Sequence, residues 1–137
     1  MSAARPSPSE FFFDRSLGKV SARLLRDRGW TIHLIADYYP SDAAGIGDEE
    51  WIAEGCSHGW SLLSKDKRIR YKADELAALG QGHLFCLANG NLTTREMADR
   101  FQAARSKIEG AVHGGGGFWQ VYDDGRIKPM WSPAPIA

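Results

Sequence analysis

The chain has 137 residues, enough for one domain of ordinary size but too few for two full domains. Its composition is that of a globular protein, with 43% hydrophobic and 25% charged residues. Seventeen basic residues balance seventeen acidic ones, so the net charge does not indicate a basic nucleic-acid-binding protein, although charged patches can segregate on folding. No segment approaches the roughly 18 apolar residues of a membrane helix. We therefore predict a cytoplasmic protein that does not associate with membranes.

The two ends of the chain differ in composition from its centre. Residues 1–10 (MSAARPSPSE) are rich in Pro and Ser and lack the apolar segment of a signal peptide, which predicts a disordered lead-in. Residues 132–137 are predicted to form an irregular tail. A single domain would then occupy residues 11–131. Cys56 and Cys86 lie in apolar segments without zinc-ligand spacing, which favours two reduced, buried thiols.

The first third of the domain predicts a strand, a helix and a second strand. Phe11–Phe13 is typical of a strand that is covered on both faces. The next apolar residues recur at helical spacing and would form the buried face of a helix: Leu17, Val20, Ser21 and Leu24. This helix would stop at Gly29, and residues 30–35 (WTIHLI) would form the second strand. Such a unit pairs two parallel strands through a right-handed crossover.

The remaining segments continue the alternation of strands and helices. A loop is predicted at residues 38–47. Helices are predicted at residues 48–59 and 74–79, and strands at residues 60–64 and 83–88. Thr93 and Glu96 form a capping box, which opens a long helix with an apolar face of Met97, Phe101, Ala104 and Ile108. Gly114–Gly117 is predicted to be a flexible joint, and Asp-Asp-Gly between residues 118–122 and 126–130 indicates a hairpin. The fold class predicted is α/β, a three-layer α/β/α domain with a mostly parallel central sheet and a C-terminal β-hairpin.

Three aspartates are predicted to meet at the carboxyl edge of this sheet. Asp14 follows the first strand, Asp66 follows the third, and Asp48 begins the helix that leads into the third strand. Ligands of open α/β sheets gather at this edge, near the switch in strand order. Carboxylates brought close together repel by about 1 to 4 kcal/mol per pair, and a hard cation such as Mg²⁺ or Mn²⁺ removes that repulsion. Because such an ion polarises a phosphodiester and activates water, the cluster predicts a phosphodiesterase, especially a nuclease.

Each of these residues also has a purely structural interpretation. Asp14 and Asp48 would each cap the helix that follows, and Asp66 would be a turn residue. The basic stretch that contains Lys67 and Arg68 is either a solvated face or a set of phosphate contacts beside the metal. An aspartyl-phosphate signalling domain also has acids at strand ends, but the segment HLFCLANGN lacks the lysine that it needs.

Three segments of the chain form a recognisable set: FFFDRSLGK, GDEEWIAEGCSHGWSLLSKDKRIRY and GHLFCLANGNLTTREMADRF. Together they resemble the PIN-like domains of VapC-type toxins. The likeness is strongest to the compact branch of that family, whose members begin with a strand and D-x-x-L-G. The resemblance runs from about Phe11 to Met130. It implies a PIN-like fold and a ribonuclease that depends on Mg²⁺ or Mn²⁺ and is the toxin of a toxin–antitoxin pair. When the motifs of the family are matched to this chain, the implied metal ligands are Asp14, Asp48 and Asp66. Ser64, two positions before Asp66, would orient that acid or a water.

One acid of the larger PIN domains has no clear counterpart in this chain. In those domains the further acid lies on a helix between the second strand and the acid that corresponds to Asp48. Here that interval is a loop, residues 36–47, which contains Asp37 and Asp42. Asp37 and Asp42 match that acid imperfectly, and Glu49, at the start of its helix, is the third candidate for the role.

The sequence therefore predicts a metal-dependent endoribonuclease that cleaves RNA phosphodiester bonds with a metal-activated water. The catalytic set comprises the metal ligands Asp14, Asp48 and Asp66, together with Glu49. RNA phosphates would be contacted by Arg15, Lys67 and Arg68. The predicted partners are an RNA substrate, a cognate antitoxin and a second copy of the chain in a homodimer. The alternative prediction is a non-catalytic PIN-like module that binds RNA or a protein.

Overall fold

The computed structural model describes residues 9–39, 45–65 and 73–133. Within these ranges the strands are β1 (Glu10–Phe13), β2 (Thr31–Leu34), β3 (Ser61–Ser64), β4 (His83–Leu87), β5 (Gly117–Val121) and β6 (Ile127–Trp131). The helices are α1 (Gly18–Asp27), α2 (Asp48–Ser57), α3 (Ala73–Leu79), α4 (Thr94–Ala103) and α5 (Arg105–Val112). Short 3-10 turns follow β1 and β2, at Arg15–Leu17 and Ile35–Asp37. Most residues of the predicted lead-in and tail lie outside the described ranges.

The strands form one sheet in the order β2-β1-β3-β4-β5-β6. All neighbouring pairs are parallel except the β5–β6 hairpin, which is antiparallel. The predicted mostly parallel sheet with a C-terminal hairpin is therefore confirmed. The chain leaves β1 for β2 on one side and later returns to place β3 on the other side of β1. This reversal makes the gap between β1 and β3 the switch point at which open α/β sheets bind ligands.

Two apolar layers cover the sheet, which confirms the three-layer α/β/α arrangement. On one face, α1, α4 and α5 pack on Phe11 and Phe13. On the other face, α2 and α3 pack on Phe12, which touches the ring of Trp51 edge-on. Successive strand residues point to opposite faces, so the run of three phenylalanines supplies both layers at once. Within the described ranges, no helix has the length and apolar character needed to cross a membrane.

Helix α2 lies close to the sheet because it contains Gly55 at the contact. A Cβ at this position would overlap the side chains of Leu62 on β3 and Phe12 on β1. The glycine therefore lets the helix backbone approach the two strands that form the switch point. Since Asp48 is the first residue of the same helix, this close packing fixes where its carboxylate lies.

Three local predictions differ from the structure. Val20 is 43% exposed, because the 3-10 turn ahead of α1 shifts the helical phase and buries Ala22 and Leu25 instead. The predicted long helix is interrupted at Ala104, although its four apolar residues are all buried. The predicted flexible joint is packed at its C-terminal end: a Cβ on Gly116 would strike the backbone of Gln81.

Both thiols are reduced, as predicted. Cys86 is buried on β4, whereas Cys56 is half-buried on α2. Burial raises the pKa of the Cys56 thiol above its ordinary value, so the thiol stays protonated at neutral pH and is a weak nucleophile.

Candidate metal centre

Asp14 lies at the carboxyl end of β1, beside the end of β3. Its backbone N–H donates to the carbonyl of Leu63 at 2.9 Å, which extends the parallel ladder by one residue. The side chain is 8% exposed. The register of β1 and β3 thus holds one carboxylate at the switch point, as the sequence predicted.

Two hydroxyl groups hold the Asp14 carboxylate. Ser16 Oγ donates to Oδ2 at 2.7 Å, and Ser64 Oγ donates to the same oxygen at 2.9 Å. Asp14 also occupies the N-cap position of the 3-10 turn, where the backbone N–H of Ser16 favours its ionised form, although no side-chain capping bond of full strength forms. The predicted hydroxyl of Ser64 therefore orients Asp14; its relation to Asp66 lies outside the described residues.

Burial sets the charge state of Asp14. Desolvation raises the pKa of this carboxyl above its ordinary value of 3.8, and the negative charge of Asp48 raises it further. The hydrogen bonds from Ser16 and Ser64 act in the opposite direction, because they favour the ionised form. A buried carboxylate with a second acid close by is a group whose ionised form a cation would stabilise.

Asp48 is held at the start of α2 by an indole. Gly47 occupies the N-cap position, and Trp51 Nε1 donates to Asp48 Oδ1 at 3.0 Å. Asp48 is therefore the first residue of the helix and not its cap, contrary to the structural interpretation. Trp51 is 1% exposed, so its ring is fixed by the core and can fix the carboxylate in turn.

Asp14 and Asp48 line one cavity of about 840 Å³, called here the acidic cavity. Its charged lining consists of five carboxylates and one guanidinium: Asp14, Arg15, Asp48, Glu49, Asp74 and Glu75. The predicted Glu49 and Arg15 thus lie in the same cavity as the two aspartates. Asp37, one of the alternatives for the further acid, is not among the lining residues.

Two lining residues were not predicted from the sequence: Asp74 and Glu75, in the first turn of α3. A signal for them was available. A helix that follows a strand of a parallel sheet begins at the carboxyl edge, so acids in its first turn face the same edge as Asp14. Glu75 is 7% exposed, which distinguishes it from the exposed Glu49.

Four of the predicted residues lie outside the described ranges: Asp42, Asp66, Lys67 and Arg68. Among the residues that are described, no three acidic, histidine or cysteine side chains gather closely enough to hold a metal ion. The described part of the site therefore supplies a pair, Asp14 and Asp48, and not the predicted trio.

An oxygen-only pair fits a hard divalent cation. Mg²⁺ is commonly bound through one or two carboxylates and keeps several waters. The acidic cavity has ample volume for the ion and its waters. The raised pKa of Asp14 also fits, because the penalty on its ionised form would be relieved by the ion.

The family model described as a PIN like domain matches residues 9–89, more than half of the chain. The matched region contains β1 to β4, the acidic cavity and all the predicted site residues. No curated protein and no solved structure matches the chain.

Proposed function

We propose that this chain, which belongs to the PIN-like domain family, is a divalent-metal-dependent endoribonuclease and the toxin of a toxin–antitoxin pair. The fold is of the nuclease type, and the acidic cavity lies where such a fold binds ligands. The observation that carries the proposal is the pairing of the buried Asp14 with Asp48 across that cavity. The motif resemblance to VapC-type toxins supports the narrower assignment to RNA.

In this proposal Asp14 and Asp48 hold one Mg²⁺ or Mn²⁺ ion. The hydroxyls of Ser16 and Ser64 would keep the Asp14 carboxylate oriented when the ion is bound. The indole of Trp51 would hold the Asp48 carboxylate in place in the same way. Asp66 would complete the set, as the motif match implies.

When bound, a divalent ion lowers the pKa of a coordinated water and polarises the phosphodiester. The residues of the chain supply the geometry for that chemistry. The carboxylates of Asp14 and Asp48, each held by a hydrogen bond from a buried side chain, would keep the ion in one place at the switch point. Arg15 lines the same cavity, and its guanidinium suits the non-bridging oxygens of the phosphate. Lys67 and Arg68 would bind the neighbouring phosphates.

Glu75 is the described carboxylate best suited to be the further acid of the larger PIN domains. It is buried in the lining of the acidic cavity, whereas Glu49 is exposed and Asp37 lies outside that lining. A buried carboxylate binds an ion or a water with less loss of side-chain entropy than an exposed one. We therefore prefer Glu75 to Glu49 and Asp37 for this role. Asp42, the third candidate from the sequence, lies outside the described residues.

The decisive experiment is cleavage of single-stranded RNA in the presence of Mn²⁺ by the wild-type protein and five variants. We expect Asp14→Asn and Asp48→Asn to lose at least 100-fold in rate, since either change removes a metal ligand. Glu75→Gln should lower the rate more than Glu49→Gln. Asp37→Asn is the matched control, because it makes the same chemical change outside the acidic cavity. Equal activity in Asp14→Asn, Asp48→Asn and Asp37→Asn would refute the assignment.

The toxin role has its own test in living cells. Expression of the wild-type chain should arrest growth, and Asp14→Asn should not. Co-expression of the cognate antitoxin should relieve the arrest, and a small reading frame next to the gene would be the first sequence to test. Growth arrest by both wild type and Asp14→Asn would contradict a toxic nuclease activity.

A second candidate is a non-catalytic module that binds RNA or a protein. It is favoured by the finding that the described residues contribute two close carboxylates and no group of three metal ligands. This candidate predicts RNA binding without any cleavage at millimolar Mn²⁺. Cleavage that is abolished by Asp14→Asn would exclude it.

A further inference from the structure

A second, smaller cavity lies on the other side of Asp14. It has a volume of about 310 Å³ and is called here the side cavity. Four of its lining residues are apolar: Phe13, Leu34, Ile35 and Ala36. It opens beside the carboxyl ends of β1 and β2, at the start of α1, whereas the acidic cavity lies towards α2 and α3.

The charges of the two cavities differ in sign. Asp14 and Arg15 line both, so the cavities share a wall. Beyond that wall, the acidic cavity carries four more carboxylates, and the side cavity carries one more cation, Lys19. Lys19 stands in the first turn of α1, where the helix dipole disfavours a positive charge. Its position is therefore not explained by helix stability.

We propose that the side cavity binds one nucleoside of the RNA strand, next to the phosphate that lies at Asp14. The base would pack on the apolar wall formed by Leu34 and Ala36. Lys19 and Arg15 would contact the adjoining phosphates. The choice of RNA as the occupant rests on the proposed function, because that function puts a phosphodiester at the shared wall.

The dimensions of the side cavity favour a single unpaired nucleotide. Its volume is at the lower end of the range for small-molecule sites, roughly 300 to 1,000 Å³. One base must therefore leave its stack to enter, which single-stranded loops and ends of RNA permit and a duplex opposes. An acidic protein segment is a poorer fit, since its carboxylates would lie next to Asp14 and the acidic cavity.

The first test measures the binding of a single-stranded RNA hexamer in EDTA, where no metal-dependent cleavage occurs. Lys19→Glu should weaken binding and lower the slope of log Kd against log salt by about 1, as expected for a lost phosphate contact. Arg23→Glu is the matched control, since it makes the same charge change one turn further along α1, outside the side cavity. Equal weakening by the two variants would overturn the proposal, because the effect would then be one of net charge.

The second test asks whether the cavity holds a base. Wild-type protein should bind the RNA hexamer about tenfold more tightly than an abasic hexamer of equal charge. Ala36→Phe should fill the cavity and reduce that ratio at least fivefold, with a melting temperature close to that of wild type. A wild-type protein that does not distinguish the two hexamers would overturn the proposal, as would an unchanged ratio in a folded Ala36→Phe protein.

Failure of this inference can be told apart from failure of the proposed function. Neither Lys19 nor Ala36 lines the acidic cavity, so Mn²⁺ binding should be unchanged in both variants. If Lys19→Glu and Ala36→Phe weaken RNA binding but the wild-type protein never cleaves RNA, the RNA site in the side cavity is supported and the nuclease activity is refuted. If RNA cleavage is lost in Asp14→Asn but unchanged in Lys19→Glu and Ala36→Phe, the nuclease activity is supported and the RNA site in the side cavity is refuted.

Discussion

The hydroxyl of Ser64, at the end of β3, donates a hydrogen bond of 2.9 Å to the carboxylate of Asp14, at the end of β1. Ser64 is fully buried and Asp14 nearly so. The two strands are neighbours in the sheet, so the bond crosses the switch point itself. It ties the position and the proton affinity of Asp14 to the register of β1 and β3.

Removal of this hydroxyl should shift the pH dependence of metal binding. The Ser64 hydrogen bond lowers the pKa of Asp14, so Ser64→Ala should raise that pKa. Because the metal binds the ionised carboxylate, the midpoint of Mn²⁺ binding should move to higher pH. Ser61→Ala, a buried serine on the same strand, is the control and should leave the midpoint unchanged. A midpoint that moves equally in both variants would contradict this role for Ser64.

Asp14→Asn should stabilise the metal-free protein near neutral pH. The pKa of Asp14 is raised above 3.8 in the folded state. At a pH between 3.8 and the pKa of the folded state, Asp14 is therefore ionised in the unfolded chain but still protonated in the folded protein. The wild-type protein thereby loses stability as pH rises through this window, and the asparagine variant does not. We expect Asp14→Asn to melt at a higher temperature than the wild-type protein at pH 7 and at nearly the same temperature at pH 3. Thermal melts at pH 3 and pH 7 measure this difference, and a gain equal at both pH values would argue against the raised pKa.

Trp51→Phe should weaken metal binding while the fold survives. The variant keeps an aromatic ring in the core but loses the hydrogen bond to Asp48 Oδ1. Loss of such a supporting bond lowers metal affinity by about 10-fold or more. Trp30→Phe is the control: Trp30 is also buried, and its indole donates to Gln102 in the opposite layer. If calorimetric titration gives the same Mn²⁺ affinity for both variants, Trp51 does not orient Asp48.

Gly55→Ala and Gly110→Ala should change stability in opposite directions, although both lie in helices. Alanine is ordinarily favoured over glycine in a helix by about 1 kcal/mol, and nothing lies near the position of a Cβ on Gly110. A Cβ on Gly55 would overlap Leu62 and Phe12, so that variant should lose about 1 to 3 kcal/mol. Urea denaturation measures both. Stabilisation by Gly55→Ala would mean that α2 does not need its close approach to the sheet.

The sequence predicted the fold class and the position of Asp14 and Asp48 because these depend on order along the chain. An alternation of apolar strands and amphipathic helices leaves few topologies, and an acid directly after a strand must lie at the carboxyl edge. The capping box of Thr93 and Glu96 is likewise a local pattern, and it forms as predicted. The sequence alone leaves both aspartates equally explicable as helix caps. The structure places Gly47 and not Asp48 at the N-cap of α2, and it adds the bond from Ser64 to the contacts of Asp14.

The features that the sequence did not predict depend on contacts between distant segments. The exposure of Val20 follows from a short 3-10 turn that changes the phase of α1. Gly116 and Gly117 are packed against the backbone of other segments, so a run of glycines is not here a flexible joint. Glu75 joins the acidic cavity through the packing of α3 beside α2, and neither its spacing nor its neighbours in the sequence indicate that burial.

Calorimetric titration with Mn²⁺ tests the central claim most directly, since it asks whether Asp14 and Asp48 bind one ion. Wild-type protein and Asp37→Asn should bind Mn²⁺ with equal affinity. Asp14→Asn and Asp48→Asn should each lose at least tenfold in affinity, with thermal melts showing that both are folded. Wild-type affinity in the Asp14→Asn and Asp48→Asn proteins, or no Mn²⁺ binding by the wild-type protein, would contradict the account.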